Sequence, residues 1–370
     1  MSGPTAGKEG KSRTLAQVYR RFGEVDAAKA SPLYERVAVA LSESDEALRA
    51  IETAPARKRH PTVILAALHD LALAGRAPAL AAAYAASDGD AAAAAVIDTL
   101  LGMTDAVVAI ATRRPMRADE TGRCPVLYPA IAEIARRVGA TAVGLIDVGG
   151  SAGLNLNVDR VGIAYSNGQS LGDPSSPVQM SASIVKNLAV PTRAIPEVAV
   201  RVEVDPDPVD VTDPDQARWL RACLPPDQPD PSDQPDLAAT LEAELELAAA
   251  DPPVLLQGDA VEMMPDAIAR VPADALPIVT TTWALSQLSL ESRLRFLHRL
   301  DEAATNRPVA WVSVEGVGVA PAIPTFGDRR ASGHSIIGLA VFGHSTLSVE
   351  AVGRCWLRGR MLAWLADALQ

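Results

Sequence analysis

The sequence VGLIDVGGSAGLNL, residues 143–156, decides the fold of this chain. It runs from an apolar segment through a turn rich in Gly to a segment that predicts a helix. Glycines at such a turn permit positive φ angles and let a ligand approach the main chain, and a helix N-terminus offers N–H donors. The stretch therefore predicts a ligand-binding turn between a strand and a helix.

The sequence differs in periodicity on the two sides of this turn. Residues 1–140 are rich in Ala, Leu and Arg, with apolar side chains three and four positions apart, which predicts helices. After residue 140, short runs rich in Val, Ile and Thr alternate with amphipathic stretches, which predicts a mostly parallel sheet. The predicted strands are 142–148, 198–204, 253–257, 277–282 and 308–314, followed by an antiparallel hairpin at 335–342 and 345–352.

These patterns predict two domains. An all-α N-terminal domain, residues 1–140, precedes a Rossmann-like α/β domain, residues 141–370. An insertion at 163–196 carries turn signals and is expected to fold over the cleft. A loop rich in Pro and Asp, 205–236, is expected to surround a short helix containing Trp219 and Leu220, or to form a lid.

Charge and composition exclude several classes of partner. The 34 basic and 45 acidic side chains give a net charge of −11, the wrong sign for binding a phosphate backbone, so no nucleic acid is expected. The three cysteines are widely spaced, and no metal site is predicted. No segment has the pattern of a membrane span or a signal peptide. We expect a cytoplasmic protein that acts on a small molecule, and the sequence does not indicate its oligomeric state.

Several interpretations compete for the Gly-rich turn. The spacing of Asp147, Gly149, Ser151 and Gly153 resembles the acidic-x-Gly-x-Gly-x-Gly motif of class I methyltransferases, with Ser as the middle residue. The same residues spell the Gly-x-Ser-x-Gly elbow of α/β-hydrolases, in which Ser151 would be the nucleophile. A dinucleotide fingerprint is disfavoured, because Leu154 replaces its third glycine. A binding protein without catalytic activity is the remaining alternative.

The residues before and after the turn favour the methyltransferase over the hydrolase. In α/β-hydrolases several strands precede the elbow, whereas here about 140 residues with the periodicity of helices precede Ser151. Three histidines follow Ser151 in the chain order of a triad, although histidines in helices and hairpins are more often structural: His298, His334 and His344.

The resemblance to class I methyltransferases implies contacts to S-adenosylmethionine. In the turn these are Asp147, Gly149, Gly150, Ser151 and Gly153. After the later strands they are Asp205 for the ribose hydroxyls, Asp259 and Ala260 for the adenine, and Trp283 as a wall of the pocket. Arg123 suits the carboxylate of the cofactor. The alternatives are loop caps for the acids, a core position for Trp283, and a surface ion pair of Arg123 with Glu120.

Methyl transfer often needs a base, and two residues are candidates. Glu315 follows the fifth predicted strand, and His69 lies in the helical region, which would place it at the pocket if that domain caps it. The alternatives are that Glu315 caps the following loop and that His69 is a core histidine.

Four stretches, including the Gly-rich turn, resemble an uncharacterised family of actinobacterial proteins with methyltransferase-like folds. They are residues 66–69, 119–123, 147–157 and 311–316, and the resemblance extends from about residue 15 to 366. The resemblance implies a class I methyltransferase core with a C-terminal antiparallel hairpin. The sequence thus predicts an S-adenosylmethionine-dependent methyltransferase with a small-molecule substrate.

Overall fold

The computed structural model describes residues 13–28, 30–117, 121–150, 152–227 and 237–366. These residues form two compact units, one from the segments 1–118 and 218–238 and the other from 119–217 and 239–370. The bounds differ from the predicted division at residue 140. The helix at 124–138 belongs to the second unit, and 218–238 belongs to the first.

The first unit is helical, as predicted, and the second contains a sheet covered by helices. The α-helices of the described residues are α1 Leu15–Arg21, α2 Pro32–Glu43, α3 Asp45–Glu52, α4 Pro61–Leu73, α5 Pro78–Ala85, α6 Gly89–Gly102, α7 Thr104–Arg113, α8 Cys124–Val138, α9 Pro214–Ala222, α10 Leu237–Ala250, α11 Ala260–Ala269 and α12 Leu290–Ala303. Ser31, Ser44 and Asp88 cap the N-termini of α2, α3 and α6 through their side chains. The short helix predicted around Trp219 and Leu220 is α9.

None of the described helices is by itself long and apolar enough to cross a bilayer, and two helix pairs, α4 with α5 and α6 with α7, reach that length and composition only together, across bends of 101° and 90°.

The strands of the described residues form one sheet in the second unit. They are β1 Ala142–Val148, β2 Gly162–Tyr165, β3 Ser170–Gly172, β4 Gln179–Ile184, β5 Glu197–Asp205, β6 Val254–Gln257, β7 Leu276–Thr282, β8 Val309–Gly316, β9 Ser335–Gly343, β10 Thr346–Trp356 and β11 Met361–Trp364. Their order is β3-β2-β4-β11-β10-β9-β8-β7-β1-β5-β6. Strands β6, β5, β1, β7 and β8 are parallel, and β9 and β10 form an antiparallel hairpin. The mixed α/β fold and the predicted hairpin are confirmed.

The insertion predicted at 163–196 contains strands. Together with Gly162 it forms β2, β3 and β4, which extend the sheet beyond β11. Burial alternates strictly along β4, with Met180, Ala182 and Ile184 inward, as expected for a strand with one covered face. The pairing of Ser183 with Met361 joins segments far apart in the sequence.

The two faces of the sheet belong to different hydrophobic cores. Leu145 of β1 packs in one core with Ile131 of α8. Its neighbour Ile146 packs in the other core with Met264 of α11 and Phe296 of α12. Because side chains alternate along a strand, Asp147 projects toward the α8 face.

The connections change face between β1 and β7. The segments after β1 and β5 contribute Leu156 and Leu247 to the α8 core, whereas α11 and α12, after β6 and β7, cover the other face. In open α/β sheets a ligand crevice lies at the carboxyl ends of the strands where the winding reverses. The Gly-rich turn after β1 stands at this point.

The helix predicted to follow this turn is a seven-residue 3₁₀ segment, Leu154–Arg160, so this prediction was wrong. The backbone at Asn157 is non-helical. The cause is tertiary, because Arg201 Nε donates to the Leu156 carbonyl at 3.0 Å and takes the place of an α-helical amide.

Candidate ligand site at the carboxyl ends of the central strands

The turn after β1 depends on glycine for its backbone conformation. Gly149 and Gly153 have φ angles of +72° and +64°, in the left-handed region that favours glycine. The amide of Gly149 donates to the Val204 carbonyl of β5 at 2.9 Å, which fixes the turn to the neighbouring strand. A Cβ on Gly149 would lie 3.0 Å from the Ala284 Cβ, so the turns after β1 and β7 are in close contact. Ser151 lies outside the described residues.

Gly150 lies directly on two carboxylates. A Cβ at this position would lie 2.1 Å from Asp147 Oδ2 and 3.3 Å from Glu203 Oε2. Asp147 and Glu203 are register partners on β1 and β5, and both are fully buried. The two acids therefore lie beneath the turn and support it.

Asp147 fixes the turn to two other segments. Its Oδ1 accepts a hydrogen bond from Thr280 Oγ1 at 2.6 Å, and its Oδ2 accepts one from Asn155 Nδ2 at 2.9 Å. Burial raises the pKa of Asp147, while these hydrogen bonds and the charge of Arg123 act in the opposite direction. Asp147 thus has no exposed surface, and both of its carboxylate oxygens are used to order the turn.

Asp205 occupies the end of β5, two residues beyond Glu203. Its Oδ1 accepts from the Asp207 amide at 2.8 Å, and its carbonyl accepts from the Gly258 amide at 3.0 Å. Asp205 keeps 6% of its surface exposed, against none for Glu203. Asp205 is also buried, but of the two acids it lies closer to the carboxyl edge of the sheet and keeps more exposed surface.

Arg123 and Trp283 line the β7 side of the site. Arg123 Nη1 donates to Thr282 Oγ1 at 2.9 Å, and its guanidinium lies 5.4 Å from the centre of the Trp283 ring. Trp283 has a φ of +60°, which is rare for a bulky side chain and is found most often at functional sites. Its Nε1 donates to Ser335 Oγ at 2.8 Å. These contacts link Arg123, at the start of α8, through the end of β7 to the start of β9.

The segment after β6 uses its acid as a helix cap. Asp259 Oδ1 accepts from the Val261 amide at 2.9 Å, and Ala260 begins α11. Asp259 therefore acts as a helix cap through Oδ1, as one of the two interpretations of this residue expected.

Glu315, one candidate base, projects toward the core formed with α11 and α12, because it lies on the same face of β8 as Trp311, four residues earlier. Its Oε1 accepts from the Leu285 amide at 3.0 Å, and among the described residues Oε2 has no hydrogen-bonding partner. Burial raises the pKa of Glu315 to about 7. Glu315 thus holds the turn after β7, on the face opposite Asp147.

His69, the other candidate base, packs in the core of the first unit. Its Nδ1 donates to the Leu224 carbonyl at 3.0 Å, and its ring meets Tyr84 edge-on at 5.5 Å. Burial lowers the pKa of His69. These contacts correspond to the core-histidine alternative.

Sequence reasoning gave no role to two polar residues of this site, Asn155 and Ser335. Asn155 acts through Asp147, eight positions earlier, and Ser335 acts through Trp283, 52 positions earlier, and no local pattern indicates either contact. Among the residues that the structure describes, no group of three His, Cys, Asp or Glu side chains could hold a metal ion.

A family comparison covers almost the whole chain. The model of the family described as "uncharacterized protein conserved in bacteria (DUF2332)" matches residues 16–364. The search of curated proteins found no match. The chain therefore belongs to the DUF2332 family of bacterial proteins.

Proposed function

We propose that this chain is an S-adenosylmethionine-dependent methyltransferase that acts on a small molecule. The observation that carries the proposal is the Gly-rich turn at the point where the winding reverses between β1 and β7, with Asp205 at the end of the adjacent β5. In support, Gly149, Asp205, Asp259 and Trp283 lie at or just after the carboxyl ends of β1, β5, β6 and β7, which are neighbours in the sheet.

The donor groups at this edge suit the parts of the cofactor. Asp205 would accept hydrogen bonds from the ribose hydroxyls. Oδ2 of Asp259 would accept a hydrogen bond from the adenine amino group, while its Oδ1 caps α11. Arg123, beside Trp283, would hold the cofactor's carboxylate. S-adenosylmethionine would supply an electrophilic methyl group, and the protein would supply positioning and exclusion of water.

One observation favours the hydrolase as a second candidate. Asp328 Oδ2 lies 2.8 Å from His334 Nε2, and Ser151, Asp328 and His334 follow the chain order of an α/β-hydrolase triad. Two features weigh against it. In a triad the serine hydroxyl is hydrogen-bonded to Nε2 of the histidine, but here Nε2 of His334 is bound to Asp328. In addition, three strand spacings, about 14 Å, separate the end of β1, where Ser151 follows in the sequence, from the start of β9.

We expect the protein to bind one equivalent of S-adenosylhomocysteine and to be stabilised by it. Ligand at a hundred times its dissociation constant should add about 2.7 kcal/mol to the free energy of unfolding. Calorimetric titration and thermal melting measure the two effects. Folded protein whose melting temperature does not change in millimolar ligand would refute the methyltransferase proposal.

Ser151 distinguishes the two enzyme classes. We expect Ser151→Gly to keep S-adenosylhomocysteine binding, because the methyltransferase motif uses a small residue here only for close approach. A hydrolase would instead react covalently at Ser151 with a fluorophosphonate probe. Intact-mass spectrometry of wild type and variant after exposure to the probe decides the matter, and labelling that disappears in the variant would favour the hydrolase.

Asp205→Asn is expected to weaken S-adenosylhomocysteine by about 1.5 kcal/mol, roughly tenfold, because the charged acceptor of the ribose hydroxyls is lost. Asparagine keeps an oxygen for the Asp207 amide, so the melting temperature without ligand should change little. Glu203→Gln is the matched control, and its titration should give a dissociation constant close to that of wild type. Weakened binding in the control alone would move the ribose contact to Glu203.

A further inference from the structure

The loop between β8 and β9 holds a histidine in a fixed orientation. Asp328 Oδ2 lies 2.8 Å from His334 Nε2. Arg354 of β10 donates to the same carboxylate from Nε at 2.6 Å and from Nη2 at 3.0 Å, and its guanidinium lies 4.7 Å from the centre of the Phe326 ring. The Arg354 hydrogen bonds lower the pKa of Asp328. Asp328 is thus an anchored carboxylate.

This arrangement determines which ring nitrogen of His334 can act as a base. A carboxylate accepts, so Nε2 carries the proton in the neutral ring and Nδ1 carries the lone pair. Among the described residues, Nδ1 has no hydrogen-bonding partner. The Trp356 ring lies 5.5 Å from the imidazole and restricts its rotation.

The pair lies at the same edge of the sheet as the candidate ligand site. His334 precedes Ser335, the first residue of β9, and β9 runs antiparallel to β8, so it starts where β8 ends. Ser335 accepts the hydrogen bond from Trp283 at the end of β7. Two strand spacings, about 10 Å, separate β7 from β9, which is the scale of a small molecule.

The loop also carries a strained backbone. Phe326 has a φ of +54°, which costs free energy for a bulky residue and is concentrated at functional sites. Anchoring the loop to β10 needs only the paired hydrogen bonds between Arg354 and Asp328. The hydrogen bond to His334 is additional to that anchor.

We propose that His334, oriented by Asp328, is the general base that takes the proton of the methyl acceptor. The proposal rests on the proposed methyltransferase function. The proton moves from the acceptor's O–H, N–H or S–H group to Nδ1, and the electron pair of that bond stays on the acceptor. Asp328 stabilises the resulting imidazolium. The substrate class is therefore a protic small molecule, a hydroxyl, amine or thiol compound, that is protonated near neutral pH.

Chemical modification tests whether Nδ1 opens onto the ligand site. The wild-type protein is treated with a small excess of diethyl pyrocarbonate, and peptide mass spectrometry follows each histidine. His298, whose side chain is 68% exposed, is the accessible standard, and His69, which is 8% exposed and packed in the core of the first unit, is the protected one. The side chain of His334 is also only 8% exposed. We expect His334 to react more slowly than His298 but faster than His69, because its Nδ1 has no hydrogen-bonding partner among the described residues, and we expect saturating S-adenosylhomocysteine to slow its reaction at least threefold without changing that of His298. No reaction at His334, or a rate unchanged by bound ligand, overturns the proposal.

Calorimetry with His334→Gln separates this proposal from the proposed function. The variant should bind S-adenosylhomocysteine within about twofold of wild type, because a base for the acceptor makes no ribose, adenine or carboxylate contact. Loss of binding in a variant that melts like wild type would make His334 a cofactor contact and overturn its role as base. Absence of binding in wild type refutes the methyltransferase itself, whereas binding without protection of His334 refutes only the base.

Discussion

Replacing Gly150 with alanine is expected to destabilise the second unit by about 3 kcal/mol and to abolish binding of S-adenosylhomocysteine. The added Cβ would lie 2.1 Å from Asp147 Oδ2, closer than real Cβ contacts, so the carboxylate or the turn must move. Asp147 cannot move alone, because Thr280 and Asn155 hold both of its oxygens. Urea unfolding gives the loss of stability, and calorimetry gives the loss of binding.

Gly102→Ala is the control for the general effect of replacing glycine. Gly102 ends α6, has no positive φ, and an added Cβ there would meet nothing within 4 Å. Alanine should be neutral or stabilise by up to about 1 kcal/mol, because it has the higher helix propensity. If Gly150→Ala behaved like Gly102→Ala and still bound ligand, the turn would have room over the carboxylates and the arrangement described for Asp147 would be wrong.

The sequence predicted the central sheet because its strands are continuous apolar runs. The predicted segments 142–148 and 277–282 lie within one residue of β1 and β7, and 308–314 ends two residues before β8 does. Buried parallel strands carry this signal in their own residues. The strand predicted at 345–352 ends four residues before β10 does, because the charged Arg354 interrupts the apolar pattern on which the prediction was based.

Elements that depend on distant partners were not predictable. The α-helix expected after the turn is replaced by a 3₁₀ segment, where Arg201 binds the Leu156 carbonyl across 45 positions. The insertion forms strands because β4 pairs with β11, and no local sequence pattern indicates that pairing. In both cases tertiary contacts override local propensity.

In the candidate site, too, residues of the local motif were predicted, whereas contacts between distant segments were not. Motif spacing singled out Asp147 and the glycines, which form the turn in the structure. Thr280 was noted only as part of a strand end, and its hydrogen bond to Asp147 was not predicted; Ser335, which accepts from Trp283, was given no role. Glu315 was predicted from its place at a strand end, but the alternation along β8 turns its side chain to the other face.

Glu315→Gln should show that this carboxyl supports the turn after β7 and titrates within the folded protein. Burial raises its pKa from 4.5 to about 7, so the folded protein keeps a proton that the unfolded chain releases at lower pH. The sign follows from linkage: the contribution of Glu315 to stability is complete below about pH 4.5 and falls as pH rises toward 7, above which it is constant. The difference in pKa corresponds to at most about 3 kcal/mol.

Urea unfolding of both proteins at several pH values between about 5 and 8 measures this contribution. Glutamine keeps an oxygen for the Leu285 amide and does not titrate, so all other groups cancel in the difference between the two proteins. We expect the free energy of unfolding of wild type to fall relative to Glu315→Gln by up to about 3 kcal/mol over this range, and then to stay level. A difference that did not change with pH would mean that Glu315 is ionised in the folded protein. Its environment would then resemble that of a solvated base at a ligand site, and Glu315 would regain its place as the candidate base.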